Sequence, residues 1–255
     1  MISRRLLGLL CASSLAGIAA PAACAEGAAH HWSYTGETGP THWAALEPEF
    51  GACRVGHAQS PIDIRTDLVQ KADLPAIEFA YRPSPLKIVD NGHTIQVNYA
   101  PGSFIDVDGH RYELVQFHFH KPSEESIDGR RREMVVHLVH ADADGHLAVV
   151  AVLLTAGAIN PMVAALWSNL PAHKATEVQA PGVQIDAADL LPADHAYYTF
   201  AGSLTTPPCS EGVTWFVLQR PSTLSSAEID RFAKLYPMNA RPLQPANKRQ
   251  VRASQ

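Results

Sequence analysis

The chain runs to 255 residues, 46% hydrophobic and 18% charged, a balance that allows a sizeable core and excludes a disordered protein. Its formal net charge is −5 and its basic residues gather on no face, so a nucleic-acid partner is excluded as well. The one basic run, Arg130-Arg131-Arg132, reads as the solvated flank of a turn.

Residues 1–25 read as a cleaved secretory signal peptide. Arg4 and Arg5 precede an apolar stretch over 6–20, and Ala23-Cys24-Ala25 offers small residues for cleavage. That stretch falls short of the roughly 20 residues a spanning helix needs, so no membrane span is expected. A lipid anchor on Cys24 fits poorly, because Pro21 stands three residues before it. Cys11 and Cys24 leave with the leader. The remaining pair, Cys53 and Cys209, is expected to form a disulfide in a periplasmic or secreted setting.

Residues 26–255 contain no repeat and no Gly/Ser linker, and are read as one domain. Strands are predicted over 88–97, 103–107, 112–120, 134–140, 147–154 and 213–219, all rich in β-branched or aromatic residues. Pro-Gly at 101–102 and Asp-Gly at 108–109 and 128–129 separate several of them. The run over 147–154 is apolar throughout, as in a strand buried on both faces. Helices are predicted over 160–170, ended by Pro171, and over 225–235, where Ser225 and Glu228 form a capping box and Pro237 follows. The class is a sheet-dominated α+β fold.

The chemistry concentrates in two of these strands. In Gln116-Phe117-His118-Phe119-His120, period two puts both imidazoles on one face, about 7 Å apart, where they can converge on one ion. Val136-His137-Leu138-Val139-His140 follows after a turn-like segment over 122–129. Its two histidines fall on opposite faces, so one of them can join the first pair. Any single histidine is more often a hydrogen-bonded structural residue. Three converging imidazoles with no acidic or Cys fourth ligand would leave a coordination position open, which is the arrangement of a catalytic zinc.

The ordered motifs extend the pattern across 31–253. His31-Trp32-x-Tyr34, Gly39-Pro40-x-His42-Trp43, Gln59-Ser60-Pro61-Ile62-Asp63-Ile64, Asn91-Gly92-His93, the two histidine strands, Gly202-Ser203-Leu204-Thr205-Thr206-Pro207-Pro208 and Asn247-x-Arg249-Gln250 together resemble the α-carbonic anhydrases of the bacterial secreted or periplasmic type. The resemblance implies a large, twisted, mostly antiparallel central sheet with a few short surface helices. It also implies zinc-dependent reversible hydration of carbon dioxide to bicarbonate and a proton, by attack of zinc-bound hydroxide. Zinc would be held by His118, His120 and His137. Glu124 and Thr205 would orient the nucleophile, His93 would export the proton, and Val139, Val149, Leu204 and Trp215 would form the apolar substrate pocket, with Thr206 near bicarbonate. Tyr34, Asn91, Gln96 and Gln116 are carried over as further site positions, and the Cys53–Cys209 pair matches the disulfide of secreted members. Sulfonamide and small-anion inhibitors are implied, and a homodimer is compatible.

Three positions depart from the family pattern. The Glu usually found two residues before the third zinc histidine is Val135, the His after the gatekeeper Glu is Glu125, and a Tyr of the same cluster is Phe200. These changes read as linked, with Glu125 supplying from the neighbouring loop the carboxylate that position 135 lacks. A non-catalytic binding module of the same fold is the competing reading. Such modules usually lose a zinc ligand, whereas all three histidines remain here, with Thr205, Glu124 and His93. Ester hydrolysis would share the same nucleophile, but no acyl-binding site or separate general base is evident.

Overall fold

The computed structural model describes residues 31–255; the leader predicted over 1–25 lies outside them. Its strands, in chain order, are β1 (Asp63–Ile64), β2 (Gln70–Lys71), β3 (Ile77–Ala80), β4 (Ser84–Asp90), β5 (Ile95–Asn98), β6 (Phe104–Val107), β7 (His110–His120), β8 (Ser126–Ile127), β9 (Met134–Ala141), β10 (Leu147–Ala156), β11 (Glu177–Ile185), β12 (Tyr197–Ser203), β13 (Glu211–Leu218), β14 (Ser222–Leu224) and β15 (Arg252–Ala253). The α-helices are α1 (Trp43–Leu46), α2 (Ala52–Val55), α3 (Pro161–Ser168) and α4 (Ser226–Leu235). No helix among the described residues is long and apolar enough to cross a membrane.

Thirteen strands form one sheet whose main path runs β11-β4-β5-β7-β9-β10-β13-β12-β15-β2. Pairing is antiparallel from β11 through to β10. It becomes parallel where β10 meets β13 and β14, and where β15 meets β2, so the sheet is mixed. The segment predicted as one strand over 88–97 is two, β4 and β5, because Asn91-Gly92 turns the chain: the Asn91 side chain accepts from the backbone N–H of His93 and of Thr94. The predicted segments leave out β1, β2, β3, β8, β11, β12, β14 and β15. In β11 the Pro181-Gly182 pair reads as a turn, whereas the strand absorbs it as an irregularity between Gln179 and Gln184.

Alternation along the central strands assigns each face its task. Phe117 and Phe119 of β7, Val136 and Leu138 of β9, and Val150, Val152 and Leu154 of β10 bury themselves in one cluster with Met162, Leu166 and Trp167 of α3 and Ile229 and Phe232 of α4. Burial of each large side chain of this kind stabilises by roughly 1.5–3 kcal/mol. Their strand neighbours face the other way: His118 and His120 on β7, His137 on β9. Behind these lies a second cluster of Val135, Val149, Ala151, Leu153, Phe200 and Trp215. As its apolar run suggests, β10 is buried from Ala148 to Leu154.

Two local features fix this geometry. A β-bulge lies between Leu114 and Gln116, where Val115 is the extra residue and stands 48% exposed. It keeps Leu114 on the core face together with Phe117 and Phe119. Helix α4 begins with the expected capping box, and the buried Glu228 of that box also accepts from the backbone N–H of Asn160, the N-cap of α3. The starts of the two helices are thereby tied together under the sheet.

Candidate active site

The register of the sheet brings the three histidines together. His118 on β7 lies directly opposite His137 on β9, and His120 lies opposite Val135. His118, His120 and His137 each offer a ligand atom within 4.8 Å of the others. In each ring the other nitrogen is already engaged. His118 Nδ1 donates to Gln116 Oε1 at 2.8 Å, and His120 Nδ1 donates to the Asn239 carbonyl at 2.7 Å. His137 Nε2 faces Glu125, 3.2 Å from its carboxylate. The free nitrogens are therefore Nε2 of His118 and His120 and Nδ1 of His137. His140, on the opposite face as period two requires, pairs with the Tyr81 hydroxyl at 2.8 Å.

The electrostatics suit a cation. Burial pushes His118 down to about 3, with His137 adding to the effect, and His120 lies well below its ordinary value for the same reasons plus His118. Both rings are thus neutral, with a lone pair to give. For His137 burial also lowers the pKa, but the charge and hydrogen bond of Glu125, joined by Glu124, outweigh it and the net shift is upward. Burial raises Glu124 to about 7. Glu125 adds to this, while His137, the Thr205 hydroxyl and the Arg241 backbone N–H oppose it. His120 Nε2 and Glu124 Oε2 are buried without a hydrogen-bond partner, and they stand 3.6 Å apart. An orphaned imidazole nitrogen aimed at two others is what a metal would satisfy, so the residues present fit a three-histidine site. A second metal-capable group, Asp142, Asp144 and His146, lies at the β9–β10 turn, where the Asp142 carboxylate is already engaged by His110, His146 and the turn's own amides.

A cleft with two lobes opens over the histidines. One lobe, about 110 Å³, is lined by His118, His137, Val139, Val149, Leu204, Thr205, Thr206 and Trp215. The other, about 120 Å³, is lined by Trp32, Tyr34, Asn91, His93, Thr94, Gln96, His120 and again His118 and Thr206, with Gln116 shared by both. Each lobe has room for a few water-sized molecules at ~30 Å³ apiece. One lobe is mainly apolar, whereas the other mixes polar side chains with the aromatic rings of Trp32 and Tyr34. A larger concavity, about 450 Å³, lies near Tyr198 and the C-terminal residues, and no His, Cys, Asp or Glu lines it.

The remaining predicted site positions fall into this frame. Thr205 lies against Glu124 and opposes its upward shift, and Glu124 Oε1 accepts from the Arg241 backbone N–H at 2.7 Å. Asn91, Gln96 and Asn98 form a hydrogen-bonded chain along the polar lobe. His93 stacks on Trp32, ring centroids 3.6 Å apart and planes nearly parallel, with His31 4.8 Å away. This burial, with His31 and then Lys174 adding and Asp90 opposing, pulls His93 down to about 4. Replacing Trp32 with alanine is expected to raise the His93 pKa toward its ordinary 6.5, as read by an NMR titration of its ring proton; a value still near 4 would show that the stack is not the cause. Phe200 and Val135 are buried in the apolar cluster behind Trp215, as their apolar character requires.

Two residues escaped the sequence reading. Asn239, fully buried, bonds Lys121 through its backbone N–H and side-chain oxygen, donates to the carbonyls of His93 and Phe119, and accepts from His120. Arg241 holds Glu124 through its backbone N–H while its guanidinium reaches the carbonyls of Ser60 and Cys53. Both sit in a loop after Pro237 without local periodicity, so no signal short of the fold marks them. The Cys53–Cys209 disulfide is formed.

The fold and the cleft together define a metalloenzyme for a small substrate, with an apolar pocket beside three metal-capable imidazoles. Comparison with known proteins gives the family. A family model described as eukaryotic-type carbonic anhydrase matches residues 38–255. A carbonic anhydrase of Nostoc sp. is 43% identical over 87% of this chain and 85% of its own length, and one of Pectobacterium carotovorum is 45% identical over 86% and 89%. The solved α-carbonic anhydrase of Thermovibrio ammonificans, in complex with sulfanilamide, superposes with a TM-score of 0.84 at 40% identity, over 87% of this chain and 98% of that one. The chain belongs to the α-carbonic anhydrase family and is an enzyme of that kind, as the sequence motifs implied.

Proposed function

We propose that the protein catalyses the reversible hydration of carbon dioxide with Zn²⁺ held by His118, His120 and His137. The observation that carries this is the arrangement of the rings: each has one nitrogen fixed by a hydrogen bond and the other turned toward a common point. When bound, zinc lowers the pKa of a water from 15.7 to about 7, which makes hydroxide available at neutral pH. The chain's own residues do the rest. The apolar lobe of Val139, Val149, Leu204 and Trp215 receives a weakly polar gas and offers no group that competes for it. Thr205 commits its proton to Glu124, so its oxygen can only accept, and this orients the attacking oxygen's lone pair toward the apolar lobe. Thr206, on the boundary of the two lobes, is placed to meet the bicarbonate product. His93, in the polar lobe, is placed to take the released proton and pass it on to buffer.

The leader over 1–25 and the disulfide support a periplasmic or secreted location for a mature domain starting near residue 26. The direct test is stopped-flow carbon dioxide hydration by the purified mature chain, with metal content measured on the same sample. Hydration that tracks one zinc per chain and is abolished by a sulfonamide is expected; a folded, zinc-loaded chain without hydration would return it to the binding-module reading. Thr205→Val removes the hydroxyl and keeps the shape. It should lower kcat by about 10–100-fold and leave zinc content unchanged. Equal kcat in the two proteins would remove Thr205 from the orienting role.

A further inference from the structure

On the zinc reading above, we infer that Glu125 is the positioning residue of His137: a carboxylate on the loop before β9 holds the third ligand's ring, a task that the strand itself leaves open. On the face of β9 that carries His137, the side chain two residues earlier is Val135, fully buried in the cluster with Phe200 and Trp215. Nothing on that wall accepts a hydrogen bond. Glu125 fills the gap, its two carboxylate oxygens each 3.2 Å from His137 Nε2. Both side chains are out of contact with solvent.

The loop is built to deliver this carboxylate. The Ser123 hydroxyl donates to the Glu125 carbonyl at 2.8 Å and accepts from the Arg132 backbone N–H at 2.8 Å, which closes the loop across its base. The next residue, Ser126, starts β8 and pairs with Asp63 of β1. Glu125 is thus clamped on both sides in the chain. Its Oε1 has no hydrogen-bond partner, so the carboxylate is spent on His137 alone. A ring that gives its Nδ1 lone pair to a cation is itself neutral and compensates a buried carboxylate poorly, and a dication on the far side of the imidazole would supply the missing countercharge. The other two ligands lean on neutral acceptors, a side-chain amide and a backbone carbonyl. His137 alone is backed by an anion, which makes Glu125 the strongest single handle on metal retention outside the ligands.

The test is zinc affinity by chelator competition, in the mature protein and in Glu125→Ala and Glu125→Gln, with visible spectra of the cobalt-substituted forms. Glu125→Ala should lose about 10–100-fold in zinc affinity while near-ultraviolet circular dichroism stays native, and its cobalt bands should shift. Glu125→Gln keeps an acceptor without the charge and should fall between the two. If the parent protein itself binds no zinc, the zinc reading fails. If the parent binds tightly and Glu125→Ala matches it, or Glu125→Gln loses as much as Glu125→Ala, the positioning role fails alone.

Discussion

His120→Ala is expected to yield a folded protein whose carbon dioxide hydration falls by at least about 10³-fold, since without the metal a water's pKa returns toward 15.7. The size of the effect follows from where His120 sits. Its Nε2 is buried and unpartnered, so it has no role in the apo fold that would survive as a reason for its presence. Its Nδ1 is held by the Asn239 carbonyl, so the ring cannot turn away. Metal analysis and stopped-flow kinetics on one preparation check both halves of the prediction. A variant that keeps full zinc and most of its rate would show that the proposed ligand set is wrong.

The second large effect is on stability. The disulfide joins residues 156 apart, and opening so long a loop should remove about 5 kcal/mol in the chain-entropy limit. For a domain of this size that corresponds to a melting temperature lower by about 10–20 °C, measured by calorimetry on Cys53→Ser/Cys209→Ser against the parent. The loss should also be felt in the cleft. Cys209 closes the loop that carries Thr205 and Thr206, through its N–H to the Thr206 carbonyl, and the Cys53 carbonyl receives the guanidinium of Arg241, whose backbone holds Glu124. A drop of less than about 3 °C would mean that the folded state, or residual order in the unfolded one, makes the bridge redundant.

The parts of this protein that could be read from sequence are those governed by short-range periodicity. Alternation of His118 and His120 with Phe117 and Phe119 fixes which side faces the cleft, and a period of two separates His137 from His140; both expectations match the faces observed. The capping box of α4 was legible for the same reason. What stayed hidden depends on contacts between distant segments. Asn239 and Arg241 gain their meaning only when the loop after α4 folds back against the end of β7 and the Glu124 loop. The split at 91–94 was half-visible: Asn91-Gly92 signals a turn, yet the apolar residues on either side argued for one continuous strand. Val135 and Glu125 showed in the sequence as two oddities, and only the packing of the Glu125 loop against β9 places Glu125 beside His137.

The extra residue in β7 has a consequence for how this scaffold tolerates change. Because Val115 has no opposite number on β9, it insulates the imidazole-bearing half of the strand from the half that pairs with β6. Trimming the chain there would leave Leu114 and Phe117 on their present side. Removing a residue between 116 and 119 would instead shift the alternation by one and put imidazole and phenyl positions onto each other's faces. The strand therefore carries its own expansion joint, placed just upstream of the segment whose orientation can least afford to slip.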